Sequence, residues 1–384
     1  MQQTRIPAAF IRGGTSKALI FKASDLPADR ETRDRLFLSA MGSPDPYGRQ
    51  LDGMGGGLSS LSKVCIVGPS THPQADVDYT KAQIQVREAR VDYYSNCGNM
   101  SSAIGPFAVD EGLVNVAANG EALVRIYNTN TRKLIHARFA VQDGKAAVEG
   151  DLIIPGVSGT GSPVSLDFLE PGGATTGRLL PTGNVLDVLE VPGVGNLTVS
   201  MIDAANACVF VRAADLGLTG NEMPDEIEKW PGLLDCLGKI RCAASVAMGI
   251  ATDTREAQSK SVPIIGIVSP AQDARLLTGD TLAAEQVDLT ARMLSHGQPH
   301  RALPITASLC LAVAARLAGS VVHQSTRSGV VANLSIGMPS GILVVDAQVT
   351  QRDGAWHAQQ CTLMRTQRRL FDGYVYARST HVLA

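Results

Sequence analysis

The sequence has few aromatic residues and no surplus of basic ones. Among 384 residues there are eight Phe, seven Tyr and two Trp, and 34 Lys and Arg are balanced by 36 Asp and Glu. Nucleic-acid binding usually relies on a basic surface, so this composition argues against a nucleic-acid partner. The hydrophobic fraction of 45% with 18% charged residues is typical of a globular chain, which excludes a disordered or fibrous protein.

Closely spaced cysteine ligands and export signals are also missing. The seven cysteines lie at positions 65, 97, 208, 236, 242, 310 and 361 without a CxxC pair. Of the seven histidines, His296 and His300 have HxxxH spacing, but Gly297 and Pro299 interrupt any helix there, and a metal site needs three or four ligands. We therefore expect neither a disulfide framework nor a metal site. No apolar run approaches 18 residues and the N-terminus does not resemble a signal peptide. The sequence thus predicts a cytoplasmic protein without membrane contact.

Short runs of alternating polar and apolar residues dominate the chain. In the first half they read IPAAFIR, SKALIFKA, KVCIVGPS, AQIQVREARVDYY, EALVRIYNTNT, KLIHARFAVQDG and KAAVEGDLIIP. Such alternation predicts half-buried antiparallel strands. Two segments of small and apolar residues, 99–109 and 305–315, interrupt the strands, and they predict helices that are buried on every side.

The same order of elements recurs in the second half, with a helical connection around 222–251. We therefore predict an α+β fold with two pseudo-symmetric domains, residues 1–185 and 186–384. Each domain is expected to be a mostly antiparallel β-sheet or barrel wrapped around one central buried helix.

Cys97 stands at the start of the first buried helix, within Asn96-Cys97-Gly98-Asn99. The unpaired N–H groups and the positive end of a helix favour a thiolate at this position, and they can also hold a carboxylate. The alternative is that Cys97 packs as a small hydrophobic residue while its neighbours cap the helix.

Lys63 follows a glycine-rich loop, 53–57, and opens an apolar strand. A partly desolvated lysine there could act as a base, whereas a solvated surface lysine is the alternative. The turn Arg12-Gly13-Gly14-Thr15-Ser16-Lys17 places cations and hydroxyls around two glycines, which suits an anion such as a carboxylate. A plain hairpin turn explains this segment nearly as well.

At these residues the chain resembles the PrpF family, which includes 2-methylaconitate isomerases, 3-methylitaconate isomerases and 4-oxalomesaconate tautomerases, and which shares the fold of diaminopimelate epimerase. The resemblance runs through almost the whole chain. It is carried by RGGTSK (12–17), MGSPDPYGRQLDGMGG (41–56), SSLSKV (59–64), DVDY (76–79), NCGN (96–99), IGPFAVDEGLV (104–114), VRIYNTNT (124–131), PTG (181–183), HR (300–301), PSG (339–341) and RTQRRLFDGYVY (365–376).

The resemblance implies a cofactor-independent isomerase of small unsaturated di- or tricarboxylates, with an active site in the cleft between two diaminopimelate epimerase-like domains. Lys63 and Cys97 match the family's catalytic lysine and cysteine, and we expect them to form an acid/base pair whose individual roles stay open. The residues expected to bind carboxylates are Thr15, Ser16, Ser59, Ser60, Asn96, Gly98, Asn99, Arg301, Thr306 and Ser340.

Several alternatives remain at this stage. The stretch GGGLSSLSK (55–63) resembles the methylaconitate-type members more than the tautomerases. A non-catalytic carboxylate-binding protein that assists an aconitase-like dehydratase is a hypothesis of a different class. Amino-acid epimerisation is disfavoured, because the second buried helix opens without a cysteine and Cys310 lies a turn inside it. Whether the chain forms a homo-oligomer is left open.

Overall fold

The chain forms two compact units in the computed structural model, which describes residues 3–93, 97–295, 297–330 and 333–378. The first unit comprises Met1–Leu166 together with Met364–Ala384, and the second comprises Asp167–Leu363. In the described part of the chain, no helix is both long and apolar enough to span a membrane.

Both units are built mainly from strands. In the first half these are β1 (Gln3–Gly13), β2 (Ser16–Lys22), β3 (Lys63–Pro69), β4 (Val77–Ile84), β5 (Val91–Asp92), β6 (Gly120–Asn128), β7 (Lys133–Gln142), β8 (Lys145–Ala146) and β9 (Val164–Leu169). The later strands are β10 (Asp187–Val191), β11 (Gly195–Ala204), β12 (Asn206–Arg212), β13 (Ile264–Pro270), β14 (Ala274–Arg275), β15 (Thr281–Leu282), β16 (Leu289–Ser295), β17 (Gln298–Pro299), β18 (Leu334–Met338), β19 (Gly341–Arg352), β20 (Ala355–Arg365) and β21 (Gln367–Arg378). The α-helices are α1 (Arg30–Met41), α2 (Gly98–Asp110), α3 (Pro224–Lys229), α4 (Leu233–Ala247), α5 (Thr254–Ser259), α6 (Ile305–Arg316) and α7 (Val321–Ser325).

Helix α2 is the centre of the first unit. It contacts β1, β2, β3, β6, β7, β8 and β21, and every residue from Met100 to Val109 is buried. Small side chains make this possible, since a Cβ on Gly105 would lie 2.9 Å from Phe139 Cε1 and 3.0 Å from Ala137 Cβ. The predicted buried helix therefore exists, and the helix is apolar all round because strands surround it.

The strands β3 and β4 separate two environments. Val64, Ile66, Ala82 and Ile84 face the hydrophobic cluster that α1 covers through residues such as Phe37. The alternate residues of both strands point to the opposite side of the sheet because side chains alternate along a strand. That side carries Lys63, Cys65, Tyr79, Lys81 and Gln83, and the register pairs Lys63 with Gln83, Cys65 with Lys81 and Val67 with Tyr79.

The two units repeat one topology. From β21 through β1, β2, β3, β4 and β6 to β7, successive pairings are antiparallel, antiparallel, parallel, antiparallel, parallel and antiparallel. From β10 through β11, β12, β13, β16 and β18 to β19, the series is identical. The buried helix α6 occupies the place in the second series that α2 occupies in the first, so the predicted internal duplication is present in the topology.

The division of the chain differs from the predicted boundary between residues 185 and 186. Residues 364–378 belong to the first unit because β21 pairs with β1 from Gln3↔Arg378 to Gly13↔Gln367. The segment that follows residue 166 belongs to the second unit. The Asp203 carboxylate there accepts hydrogen bonds from the backbone N–H groups of Thr175 and Thr176, at 2.8 Å and 2.6 Å.

Local structure departs from the sequence prediction in three segments. The helix α1 was not anticipated, because charged residues fill its first half and hide its apolar periodicity. The residues at its two ends are nevertheless typical of helix ends. Asp29 is the N-cap residue and accepts from Thr32 N, and Gly42 ends the helix with φ 73°. The run KAAVEGDLIIP forms only the short strand β8, and AQIQVREARVDYY is split by a turn into β4 and β5.

We expect Gly105→Val to destabilise the protein by about 1–3 kcal/mol, because the added methyl groups would meet the walls around α2. The matched control is Gly238→Val in α4, where an added Cβ has no heavy atom within 4 Å. Urea unfolding followed by circular dichroism measures both variants. Equal midpoints for the two variants would contradict the packing described for α2.

Candidate active site

Lys63 lies at the first position of β3 and is largely buried, with 8% of its surface exposed. Its Nζ donates a hydrogen bond to Gln83 Oε1 on the neighbouring strand. The amide of Gln83 then donates through Nε2 to the carbonyl oxygens of Ser59 and Ser62, at 3.0 Å and 2.9 Å. Gln83 thus fixes both the lysine side chain and the loop that precedes it, and the surface-lysine alternative is wrong.

A second lysine lies on the same side of the sheet. Lys81 is 1% exposed and stands opposite Cys65 in the β3–β4 register. Burial lowers the pKa of Lys81 to about 8; repulsion from Lys63 adds to this shift, whereas Cys97 and Asp92 oppose it. Burial raises the pKa of Cys65 to about 12, so that this thiol stays neutral. Its Sγ donates to the Tyr79 hydroxyl at 3.9 Å.

Cys97 is the N-cap residue of α2 and is partly exposed. Its carbonyl oxygen accepts from Ser101 N at 3.1 Å and from Ser101 Oγ at 3.2 Å. Among the described residues, no side-chain hydrogen bond from the N-cap residue closes this helix end. The first-turn N–H groups of α2 therefore form a region of positive potential next to the thiol, suited to a carboxylate.

Asn99 joins α2 to the β1–β2 turn. Its Oδ1 accepts from Thr15 N, and its Nδ2 donates to Thr15 Oγ1, at 3.4 Å and 3.1 Å. The turn approaches so closely that a Cβ on Gly14, whose φ is 51°, would lie 2.1 Å from Asn99 Oδ1. The glycines of the RGGTSK motif are therefore required by contact with the helix start as well as by the turn itself.

Arg365 completes this group. Its Nε donates to Asn99 Oδ1 at 3.4 Å and its Nη1 to the Met364 carbonyl at 2.8 Å. Burial lowers its pKa to about 10, which leaves the guanidinium charged at neutral pH. Only 7% of its surface is exposed, and it forms no salt bridge with any acidic residue in the described ranges. A buried cation of this kind is suited to an anionic ligand.

The structure locates the other predicted residues of the first unit as follows. Ser16 is buried at the start of β2, Gly98 is the buried first residue of α2, Ser59 is exposed, and Ser60 is half-buried. Asn96 lies outside the described residues.

Three predicted residues belong to the second unit. Arg301 is exposed and its Nη2 lies 3.5 Å from Asp225 Oδ1, with 70% and 60% of the two side chains exposed. Thr306 is buried at the second position of α6 and accepts from Asn206 Nδ2 at 3.2 Å. Ser340 lies in the turn between β18 and β19, and its buried Oγ has no hydrogen-bond partner within the described residues.

The second unit carries different residues at the positions equivalent to the lysines and Cys97. β3 and β13 are both seven residues long, so their residues correspond one to one. The partner strands β4 and β16 correspond from Val77 and Leu289 onward, because Pro69 pairs with Val77 and Pro270 pairs with Leu289. The residues equivalent to Lys63, Cys65, Lys81 and Cys97 are Ile264, Gly266, Met293 and Pro304. Only the first unit thus supplies an amine and a thiol at this place in the topology.

No group of three or more His, Cys, Asp and Glu residues in the described ranges is arranged to hold a metal ion. The groups that the first unit brings together can exchange protons, through an amine and a thiol, and can bind anions, through Arg365 and the start of α2.

The fold is that of proline racemases and related epimerases. The crystal structure of a hydroxyproline epimerase from Agrobacterium vitis matches 97% of this chain and 93% of its own, with a TM-score of 0.53 and 12% identity. The crystal structure of a methylitaconate-delta-isomerase matches 100% of this chain and 98% of its own, with a TM-score of 0.88 and 43% identity. The predicted α+β fold of the diaminopimelate epimerase type is confirmed.

The family follows from sequence. The family model described as PrpF protein matches residues 3–378. The 3-methylitaconate isomerase of Eubacterium barkeri is 44% identical over 385 residues, which cover 99% of both chains. The 2-methyl-aconitate isomerase of Cupriavidus necator is 38% identical over 384 residues, which cover 97% of both chains. The chain belongs to the PrpF family, as its motifs predicted.

Sequence reasoning missed Lys81, Gln83 and Arg365. A signal for the first two was present, because alternation in Asp78-Tyr79-Thr80-Lys81-Ala82-Gln83 places residues 79, 81 and 83 on one face of a strand. The signal for Arg365 was its place at the start of the family motif 365–376, but its contact with Asn99, 266 positions away, follows from no local alternation.

In the native protein, we expect a thiol reagent such as 5,5′-dithiobis(2-nitrobenzoate) to modify Cys97 and Cys236, because these two cysteines are partly exposed and the other five are buried. Peptide mass spectrometry identifies the modified positions. The Cys236→Ser variant is the control, in which labelling should be confined to Cys97. Labelling of Cys65 before Cys97 would contradict the described burial.

Proposed function

We propose that this protein is a cofactor-independent isomerase that moves a proton along small unsaturated di- or tricarboxylates of the methylitaconate, methylaconitate or aconitate type. The observation that carries the proposal is the placement of a buried amine, Lys63, and a partly exposed thiol, Cys97, in one unit together with the anion-binding start of α2. The names of the 44% and 38% identical relatives support the same reaction class.

The proposed reaction consists of two proton transfers. One residue of the Lys63–Cys97 pair removes an allylic proton, and the electron pair of the C–H bond delocalises into the neighbouring double bond and carboxylate. The resulting dienolate is protonated by the other residue, either at the far carbon, which shifts the double bond, or at the original carbon after bond rotation. Because both transfers use side chains as acid and base, the reaction needs no redox cofactor.

Stabilisation of the dienolate is assigned to the groups around Asn99. Its negative charge develops on carboxylate oxygens, where preorganised N–H donors and a buried guanidinium act most strongly. The first-turn N–H groups of α2 and Arg365 are such donors, and the Thr15–Asn99 hydrogen bonds hold them in position. Ser16, Ser59, Ser60, Asn96 and Gly98, with Arg301, Thr306 and Ser340 of the second unit, remain proposed substrate contacts.

We expect Lys63→Ala and Cys97→Ser to lower isomerisation by about 10²–10⁴-fold, because each removes one proton carrier. Proton NMR in D2O with methylitaconate, 2-methylaconitate, the aconitates and 4-oxalomesaconate measures both deuterium uptake and double-bond migration. A variant that still exchanges deuterium into the starting acid but forms no product lacks the residue that delivers the second proton. The control is Lys239→Ala, which removes a surface lysine paired with Asp235 in α4.

Absence of isomerisation by the wild-type protein across this panel, with acids still bound, would instead support the accessory carboxylate-binding hypothesis. Full activity of both variants would remove the Lys63–Cys97 pair from the mechanism.

We expect Arg365→Met to lower kcat/KM by about 10- to 100-fold, since a hydrogen bond to a charged group contributes about 1.5–3 kcal/mol. Arg365→Lys should recover part of this loss because it retains the charge. The control is Arg352→Met, at an exposed position in β19. Steady-state kinetics with circular dichroism of each variant separates lost binding from misfolding, and an unchanged kcat/KM in folded Arg365→Met would exclude the guanidinium as a carboxylate contact.

A further inference from the structure

Lys81 is held rigidly beside the proposed proton-transfer pair. Its backbone N–H donates to Asn130 Oδ1 at 2.8 Å, and its carbonyl oxygen accepts from Asn130 Nδ2 at 2.9 Å. Because Lys63 pairs with Gln83 and Cys65 with Lys81, the two lysines are diagonal neighbours on one face, with Cα atoms about 7–8 Å apart. The backbone of Lys81 is therefore fixed on the face of the sheet that carries Lys63, and its side chain interacts electrostatically with Lys63 and Cys97.

The charged and titratable groups that face Lys81 come from four elements. Strand β3 contributes Lys63 and Cys65, β4 itself contributes Tyr79, β5 contributes Asp92, and the start of α2 contributes Cys97. Cys65 and Tyr79 stay neutral because burial raises the pKa of both groups. The charges that change during the proposed proton transfer are consequently those of Lys63 and Cys97.

The fold itself does not require a lysine at this position. The equivalent residue of the second repeat is Met293, which is fully buried opposite Gly266 as Lys81 is buried opposite Cys65. Methionine fills this place in the second unit without the desolvation cost of a buried ammonium group. The second repeat therefore shows that this position accepts an uncharged side chain, and a buried lysine with a shifted pKa is typical of a functional position.

We propose that Lys81 is a positioning residue for the Lys63–Cys97 pair: its buried positive charge favours the deprotonated forms of both groups, by repelling the ammonium of Lys63 and attracting the thiolate of Cys97. The inference rests on the proposed function. It holds whichever member of the pair takes the first proton, because either group must be deprotonated to act as the base.

The test compares the full-length wild-type protein with Lys81→Met and Lys81→Arg. The rate of Cys97 alkylation by iodoacetamide is followed from pH 5 to 10 and assigned by peptide mass spectrometry. In Lys81→Met we expect the midpoint of this profile to rise by up to about one pH unit, since the mutation removes a nearby charge that the wild type carries below about pH 8. Lys81→Arg should restore the wild-type midpoint. Tyr79→Phe, on the same face, is the neutral control and should leave the midpoint unchanged.

Two further measurements separate positioning from a purely structural role. The acid limb of the kcat/KM profile should move to higher pH in Lys81→Met, in parallel with alkylation, while circular dichroism shows the wild-type fold. An unchanged alkylation profile in folded Lys81→Met overturns the inference. A shifted alkylation profile with an unshifted kcat/KM profile also overturns it. Failure of the proposed function is distinguished by the wild-type protein, which would then not isomerise any acid of the panel. The alkylation experiment still tests the role of Lys81 in that case, because it requires no substrate.

Discussion

The contact between the start of α2 and the β1–β2 turn holds Thr15, Asn99 and Arg365 together beside Cys97. Cβ atoms on Gly13 and Gly14 would lie 2.7 Å and 2.1 Å from atoms of Asn99, so only glycine permits this approach. The contact lets Asn99 bond both Thr15 and Arg365, and it fixes the end of the helix that carries Cys97. The strands around α2 then orient Lys63 and Lys81 on the same side of the sheet as the helix.

Comparison of the two repeats distinguishes the interactions that the fold requires from the side chains that it does not require. Both buried helices begin with the same hydrogen bond. The Ser101 hydroxyl donates to the Cys97 carbonyl, and the Ser308 hydroxyl donates to the Pro304 carbonyl. The two repeats therefore share this hydrogen bond but differ in the side chain of the N-cap residue. A thiol in one repeat and a proline in the other show that the cysteine is not a packing requirement.

Much of this arrangement is predictable from sequence. The alternation within the strands and the small-residue helices gave the duplicated architecture, because burial imposes periods that a single chain displays. The Lys63–Cys97 pair came from the family motifs. Local alternation places Lys81 and Gln83 on one face of β4. Their position beside Lys63 depends in addition on the β3–β4 register, which the sequence does not show. Arg365 opens the family motif at 365–376, but its contact with Asn99 and the observed division of the chain depend on long-range pairing, which a local pattern does not reveal.

The return of β21 to the first unit has a consequence for how the chain acquires its structure. Arg12 donates a hydrogen bond to the Thr366 carbonyl, although the two residues are 354 positions apart in the sequence. During synthesis, β1 therefore lacks its partner strand β21 until the second unit has been made. The unpaired backbone groups of β1 are exposed during this time, which favours strand exchange or aggregation. The second unit, Asp167–Leu363, is continuous in sequence and meets no such delay. The second unit can therefore close while the first, although it begins earlier in the chain, still lacks its last strand.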